Sequence, residues 1–276
     1  MKKIIVPIDF SEHSEYALEA AAVMAKQNHG EVLALHMLEL SDAVLTKGSL
    51  EQGEEAIFYL KLAEKRFEEF LDKDYLKGVT VTPIVKHFKV FSEVSQVAQD
   101  HSADLIVMGS HGTSGLSEIF VGSNTEKVVR HSEIPVLVLK NKLESTAFKN
   151  VLFATDFSKE SIDVYKTAIN KFEGMGAKVH LVYVNTPGKF LNSTEMRQKV
   201  SGFLTAAAGN TDAMSQTTFV SDYTVESGIL NHANAINADL IAVATHGRKG
   251  ITHFFEGSIS EDIANHAILP VMTFKI

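Results

Sequence analysis

The chain has no cysteine, and no segment approaches the about 20 consecutive apolar residues that a membrane-spanning helix needs. The first absence excludes disulfides and thiolate metal sites and fits a reducing cytoplasm, and the second leaves a soluble globular protein as the expectation. Positive charge is also scarce, with 26 Lys and Arg against 34 Asp and Glu and a net charge of −8. Divided at Glu144/Ser145, the first part carries 15 basic and 22 acidic residues and the second 11 and 12. Neither part offers a polyanion-binding surface, so nucleic acid is not an expected partner. After Lys2-Lys3 the apolar stretch reaches only Ile8 before Asp9 interrupts it, which reads as a first strand and not as a leader.

Several catalytic signatures are missing as well. No Gly-Lys-Ser/Thr ends a Walker loop, and no G-x-G-x-x-G follows the first strand, which sets aside P-loop hydrolases and the usual dinucleotide enzymes. None of the 12 histidines forms an H-x-x-x-H pair supported by carboxylates, and His253-Phe254-Phe255-Glu256 has no partner motif, so no metal site is expected. The hydroxyls Ser110, Thr113, Ser114 and Ser123 have no activating base recognisable from sequence, and no catalytic residue is assigned.

What the chain has is one pattern written twice. Gly109-Ser110-His111-Gly112, nine residues, then Gly122-Ser123 is echoed by Ala244-Thr245-His246-Gly247, nine residues, then Gly257-Ser258. Lys3-Ile4-Ile5-Val6-Pro7-Ile8-Asp9-Phe10-Ser11 recurs 147 residues later as Asn150-Val151-Leu152-Phe153-Ala154-Thr155-Asp156-Phe157-Ser158. Ala103-Asp104-Leu105-Ile106-Val107 and Ile134-Pro135-Val136 recur 135 residues later as Ala238-Asp239-Leu240-Ile241-Ala242 and Leu269-Pro270-Val271. The difference between the two offsets places a net deletion in the middle of the second copy. Two domains are expected, 1–142 and 148–276, with Asn141 to Lys149 as a polar connector.

Within the first copy, Ile4 to Ile8 is a strand buried on both faces, and Ser11 is an N-cap before the helix beginning near Tyr16. Strands follow at Val32–Met37, Val79–Val85, Leu105–Met108 and Val136–Lys140. Helices are expected over Leu50–Leu71, Ser92–His101 and Gly122–His131. The second copy repeats the order, with strands at Val151–Ala154, Val179–Val184, Thr217–Val220, Leu240–Ala244 and Val271–Phe274 and a shortened helix around Glu195–Ala207. Such alternation predicts an α/β fold: two five-stranded parallel sheets with right-handed crossovers, each in the order 3-2-1-4-5.

In a doubly wound sheet ligands bind beyond the carboxyl ends of the strands, where strand order reverses. Strands one and four flank that point, so Asp9 and Gly109 converge on one crevice. Gly109 and Gly112 permit sharp turns and close backbone approach, and Gly122 and Ser123 open the next helix with unpaired N–H groups and a hydroxyl. That is phosphate-binding chemistry supplied by backbone, as an acidic chain requires. Asp9 suits a ribose hydroxyl, an exocyclic amine or a metal held by phosphates, and the Met37 backbone suits an adenine edge. A single copy of this arrangement would read equally well as a turn and a cap; its repetition with the same spacing favours a ligand, although duplication preserves architecture too. His111 and His246, matched between copies, suit loop structuring or proximity to phosphate.

The G-x2-G-x9-G-[S/T] pattern, the strand ending Pro7-Ile8-Asp9 and the closing Ile134-Pro135-Val136-Leu137-Val138 resemble the universal stress protein family, in its tandem form. The resemblance covers nearly the whole chain, twice, and implies flavodoxin-like, adenine-nucleotide-binding domains that pair through their last strands. It further implies ATP, with Mg, or else AMP or ADP, at Asp9, Met37, Gly109, Ser110, His111, Gly112, Gly122, Ser123 and Asn124. In the second copy the corresponding set is Asp156, Val184, Gly247, Gly257 and Ser258, with Ala244 in place of the first glycine and Glu256 where the first copy has Val121. A carboxylate beside the phosphate turn repels an anion, and Arg248 and Lys249 offset it, so weaker or absent binding is expected there. The resemblance implies a cytoplasmic stress or signalling module; slow ATP hydrolysis or self-phosphorylation, and a nucleotide-independent interaction protein, are the alternatives.

Strands Val136–Lys140 and Val271–Lys275 would be exposed edges if left alone. Pairing them predicts an internal pseudo-dimer with approximate two-fold symmetry, open to further association as a homodimer of the full chain.

Overall fold

The structure, a computed structural model, describes residues 2–38, 49–87, 93–111, 122–208, 212–245 and 259–276. It comprises two compact units, Met1–Thr146 and Ala147–Ile276.

The first unit begins with β1 (Lys3–Ile8), whose Ile4, Ile5 and Val6 are fully buried, as a strand covered on both faces demands. α1 (Glu12–Gln27) follows, capped by Ser11, which accepts a hydrogen bond from the Ser14 N–H at 3.2 Å. Glu12 and Glu15 lie in its first turn and Lys26 in its last, matching the helix dipole. Its buried face is made of Ala17, Leu18, Ala20, Ala21, Met24 and Ala25, and so many alanines let the helix axis approach the sheet closely. β2 (Glu31–Leu38), α2 (Ser49–Leu71), β3 (Thr80–His87), α3 (Glu93–Asp100), β4 (Leu105–Gly109), α4 (Ser123–His131) and β5 (Val136–Leu139) complete the unit. All the strand pairs are parallel, in the order β3-β2-β1-β4-β5.

The second unit repeats this with β6 (Asn150–Ala154), α5 (Ile162–Gly174), β7 (Lys178–Asn185), α6 (Ser193–Ala208), β8 (Thr217–Ser221), α7 (Val225–Ala235), β9 (Leu240–Thr245), α8 (Ile259–His266) and β10 (Val271–Lys275). Its parallel order, β8-β7-β6-β9-β10, is again 3-2-1-4-5. The fold is therefore the tandem α/β arrangement that the sequence predicts. Much of the deletion falls where expected, since α6 has 16 residues and α2 has 23.

Strand order places the first strand of each unit between its second and fourth. In the first unit Ile8 lies opposite His36, and the register Ile5 with Ile106 aligns the ends of β1 and β4. Asp9, Met37 and Gly109 therefore reach one end of the sheet together, at the switch point.

Candidate functional site

In the first unit the strand-to-helix corner is closed by Asp9, whose Oδ1 accepts the Ser11 N–H at 3.0 Å and the Ser11 hydroxyl at 2.5 Å. The carboxylate is thus oriented by the residue that caps α1. Between them Phe10 adopts φ 64°, a left-handed conformation unfavourable for a bulky aromatic. Its ring is held by His36, Phe67 and Phe70, with centroids at 4.6, 5.2 and 5.5 Å, and by the Arg66 guanidinium at 5.4 Å. The second unit reproduces the feature: Phe157 has φ 55° and packs on Tyr183 and Phe203 at 5.8 and 5.4 Å. Sequence analysis gave these phenylalanines no role, although their recurrence beside both aspartates was the available signal.

His36 sits beside Met37 and lies within 2.7 Å of the Ile8 carbonyl through Nδ1, which makes that nitrogen the donor. Burial lowers its pKa, the hydrogen bond to Ile8 opposes the shift, and Arg66 adds to it. A neutral imidazole braces the ends of β1 and β2.

Gly109 ends β4 against the first turn of α1. A Cβ at this position would lie 2.7 Å from the His13 Cβ and 2.8 Å from its carbonyl carbon and oxygen, closer than real contacts allow. The next residues form a stitched mouth: Ser110 N–H donates to Leu139 O at 2.8 Å, Gly122 N–H to Ser110 O at 2.7 Å, and Thr125 Oγ1 to Gly109 O at 2.9 Å. The Ser110 hydroxyl is buried and lies 2.7 Å from His111 Nδ1, and the His111 ring packs near His13 at 5.4 Å. Gly122 is the N-cap of α4 without a side-chain cap, so Ser123 and Asn124 present the opening turn of the helix beside Ser110. Ser123 is exposed and Asn124 partly so. Gly112 lies outside the described residues.

The second unit departs from this geometry. Ala244, fully buried, stands where the first unit has Gly109. α5 starts at Ile162, with Ser161 as its N-cap, whereas the register of α1 would start it at position 159. Asp156 is buried and tied into the loosened turn, its Oδ1 accepting the Ser158 N–H at 2.9 Å and the Ser161 hydroxyl at 2.5 Å.

Lys199 lies over the Tyr183 ring at 5.7 Å and within electrostatic reach of Asp156; burial lowers its pKa and Asp156 opposes that shift. Gly228 lets α7 settle on β7, since a Cβ there would lie 2.5 Å from Val184 Cγ1. Thr155, Asp156, Val184 and Ile229 line a small cavity of about 20 Å³, roughly one water. Gly247, Gly257 and Ser258, with Arg248, Lys249 and Glu256, lie outside the described residues. Among the described residues no group of three or more His, Asp or Glu is placed to hold a metal, and no helix is long and apolar enough to cross a membrane.

Two units, each with parallel strands in the order 3-2-1-4-5 and an aspartate after its first strand at the switch point, define a tandem protein of the doubly wound α/β class. Residues 1–140 and 147–275 each match the model of the universal stress protein family, and the chain belongs to that family. It is 34% identical over 156 residues to universal stress protein MJ0577 of Methanocaldococcus jannaschii, covering 51% of this chain and 96% of the relative. It is 33% identical to universal stress protein YxiE of Bacillus subtilis, over 50% of this chain and 98% of the relative. The solved structure of a universal stress protein from Archaeoglobus fulgidus is similar over 99% of this chain and 98% of its own, with a TM-score of 0.68 and 24% identity, so that likeness speaks to the fold.

Proposed function

We propose that the first unit binds an adenine nucleotide, ATP in the first instance, and that the chain is a cytoplasmic stress or signalling module whose occupancy alters its contacts. The observation carrying this reading is the convergence of an oriented carboxylate, Asp9, with a mouth stitched from Ser110 to Gly122 and an uncapped helix start. The donor set fits the group: a carboxylate for ribose hydroxyls, the Met37 backbone for the adenine edge, and the opening amides of the helix at Ser123 and Asn124 for phosphates. Magnesium would arrive with the phosphates, partly neutralising them in an acidic chain. AMP and ADP would use the same base and ribose contacts.

In the second unit the late start of α5 and the buried Asp156 weigh against occupancy by a nucleotide. We read β5 and β10 as the strands through which the two domains pair, 1–142 with 148–276, since each ends the strand order of its own unit.

One observation favours slow phosphoryl chemistry as a second reading. The Ser110 hydroxyl lies 2.7 Å from an imidazole nitrogen of His111, a pairing that sequence analysis did not identify. The burial of Ser110 argues for a structural bond instead. The experiment is to denature freshly purified protein, identify any released nucleotide by chromatography and mass spectrometry, and follow added Mg·ATP for turnover. About one adenine nucleotide per chain without turnover supports the first reading. Turnover abolished by Ser110→Ala supports the second, and no nucleotide together with no uptake refutes both in favour of a nucleotide-independent interaction protein.

A further inference from the structure

Each unit serves as a template for the other, and one difference between them is paired. Leu33 on β2 and Val97 on α3 are buried in a single apolar cluster of the first unit. The two offsets relating the repeats bring His180 of β7 and His232 of α7 to these positions. Both members of an apolar arrangement have become histidine together.

The two imidazoles lie where α7 covers β7. At one end of this interface Val184 receives Gly228; four residues back along the strand is His180, and four residues onward along the helix is His232. Their Nε2 atoms are buried and make no hydrogen bond among the described residues. Burial lowers the pKa of both, and Lys178 and His232 lower that of His180 further. The neighbouring strands β6 and β8 carry no titratable side chain. Glu226 of α7 is engaged by His266 of α8 at 2.5 Å, and Asp239 by the backbone amides of Lys149 and Asn150 at 2.8 Å. Asp222, beside Gly228, accepts from the Asn231 side chain at 3.0 Å and the Tyr223 N–H at 2.7 Å, and Asp156, across the crevice from Val225 and Ile229, accepts from Ser158 and Ser161, so these carboxylates are engaged by other groups.

We propose that His180 and His232 form an acid-sensitive latch, holding α7 on β7 while both rings are neutral and releasing it when either is protonated. Both side chains are only partly buried, but in the cation the buried Nε2 must carry a proton, beside a second cationic group and with no hydrogen-bond acceptor among the described residues. Val225 and Ile229 of the same helix wall the second crevice, so release of α7 also opens that wall. The direction follows from linkage. Above the ordinary histidine value of 6.5 the rings are neutral in both closed and open states, and closure carries no penalty. As pH falls below that value, the open state takes up protons that the closed state refuses, and closure weakens progressively toward the depressed folded pKa.

Hydrogen exchange of the full chain, read by mass spectrometry and corrected for the intrinsic pH dependence of exchange, tests the latch. Amides of Val225–Ala235 should lose about tenfold protection or more between about pH 7.5 and about pH 5.5. The double variant His180→Leu/His232→Val, which carries the first unit's own residues, should show no such loss. Flat protection in the natural chain, or an equal loss in the double variant, overturns the proposal. If the double variant does not fold, NMR titration of the two imidazoles in the natural chain decides: midpoints below 6.5 uphold the latch, and midpoints at or above it refute it.

Discussion

Gly109 and His13 are packed so closely that a methyl group on the glycine would lie 2.7 Å from the histidine Cβ, and this contact lets α1 begin directly after its N-cap. The first glycine of the repeated pattern thus makes room for a helix. Gly109→Ala should push the opening turn of α1 outward, lowering the stability of the first unit by about 1–3 kcal/mol in urea denaturation. Its nucleotide content should fall with it. Unchanged stability would mean that α1 moves aside freely.

Ala244→Gly together with Glu256→Val tests the converse in the second unit. The pair should raise the bound nucleotide above that of the natural chain, measured by equilibrium dialysis with ATP. No change would show that those two positions are not what disables the second crevice. The late start of α5 and the seating of α7 on Val184 would then carry the explanation.

The two aspartates should respond differently to removal. Asp9→Ala should weaken nucleotide binding about tenfold or more, equivalent to about 1.4 kcal/mol. Asp156→Ala should leave binding stoichiometry unchanged and destabilise the second unit by about 1–2 kcal/mol, because it removes the acceptor shared by the Ser158 N–H and the buried Ser161 hydroxyl. Isothermal titration and denaturant melts of the two variants separate these roles, and identical behaviour would contradict the assignment.

Tyr75 has a buried hydroxyl with no hydrogen-bond partner among the described residues, and burial, with Glu15 and Glu19, pushes its pKa upward. The folded state retains this proton after the unfolded chain would lose it, so the contribution to stability is present below the ordinary value of 10.0 and fades as pH rises above it. Tyr75→Phe should be neutral or stabilising by about 1 kcal/mol at neutral pH, and should flatten the alkaline loss. Marked destabilisation would reveal a partner for the hydroxyl.

Expressed separately, domains 1–142 and 148–276 should each self-associate through β5 or β10, seen by sedimentation or light scattering. A monomeric, monodisperse first domain would contradict the pairing.

Most of the fold was legible because its signals are local. The apolar run Ile4–Ile8, the cap at Ser11 and the alternation of strands with helices place each element within a few residues of its observed bounds. The repeat supplied the rest, since two copies of one offset pattern fix two units with one strand order. The positions of the two aspartates after β1 and β6 were legible for the same reason.

The left-handed Phe10 and Phe157, the collision that makes Gly109 obligatory, the bond between Ser110 and His111 and the pairing of His180 with His232 were not legible. Each depends on residues far apart in sequence, or on backbone angles that tertiary packing imposes. Sequence by itself determined what kind of domain occurs here, that it occurs twice, and which copy retains the full motif. Only the tertiary structure decided how differently the two copies are built around it, because the absence of a Cβ at Gly109 matters only where a helix packs against that position.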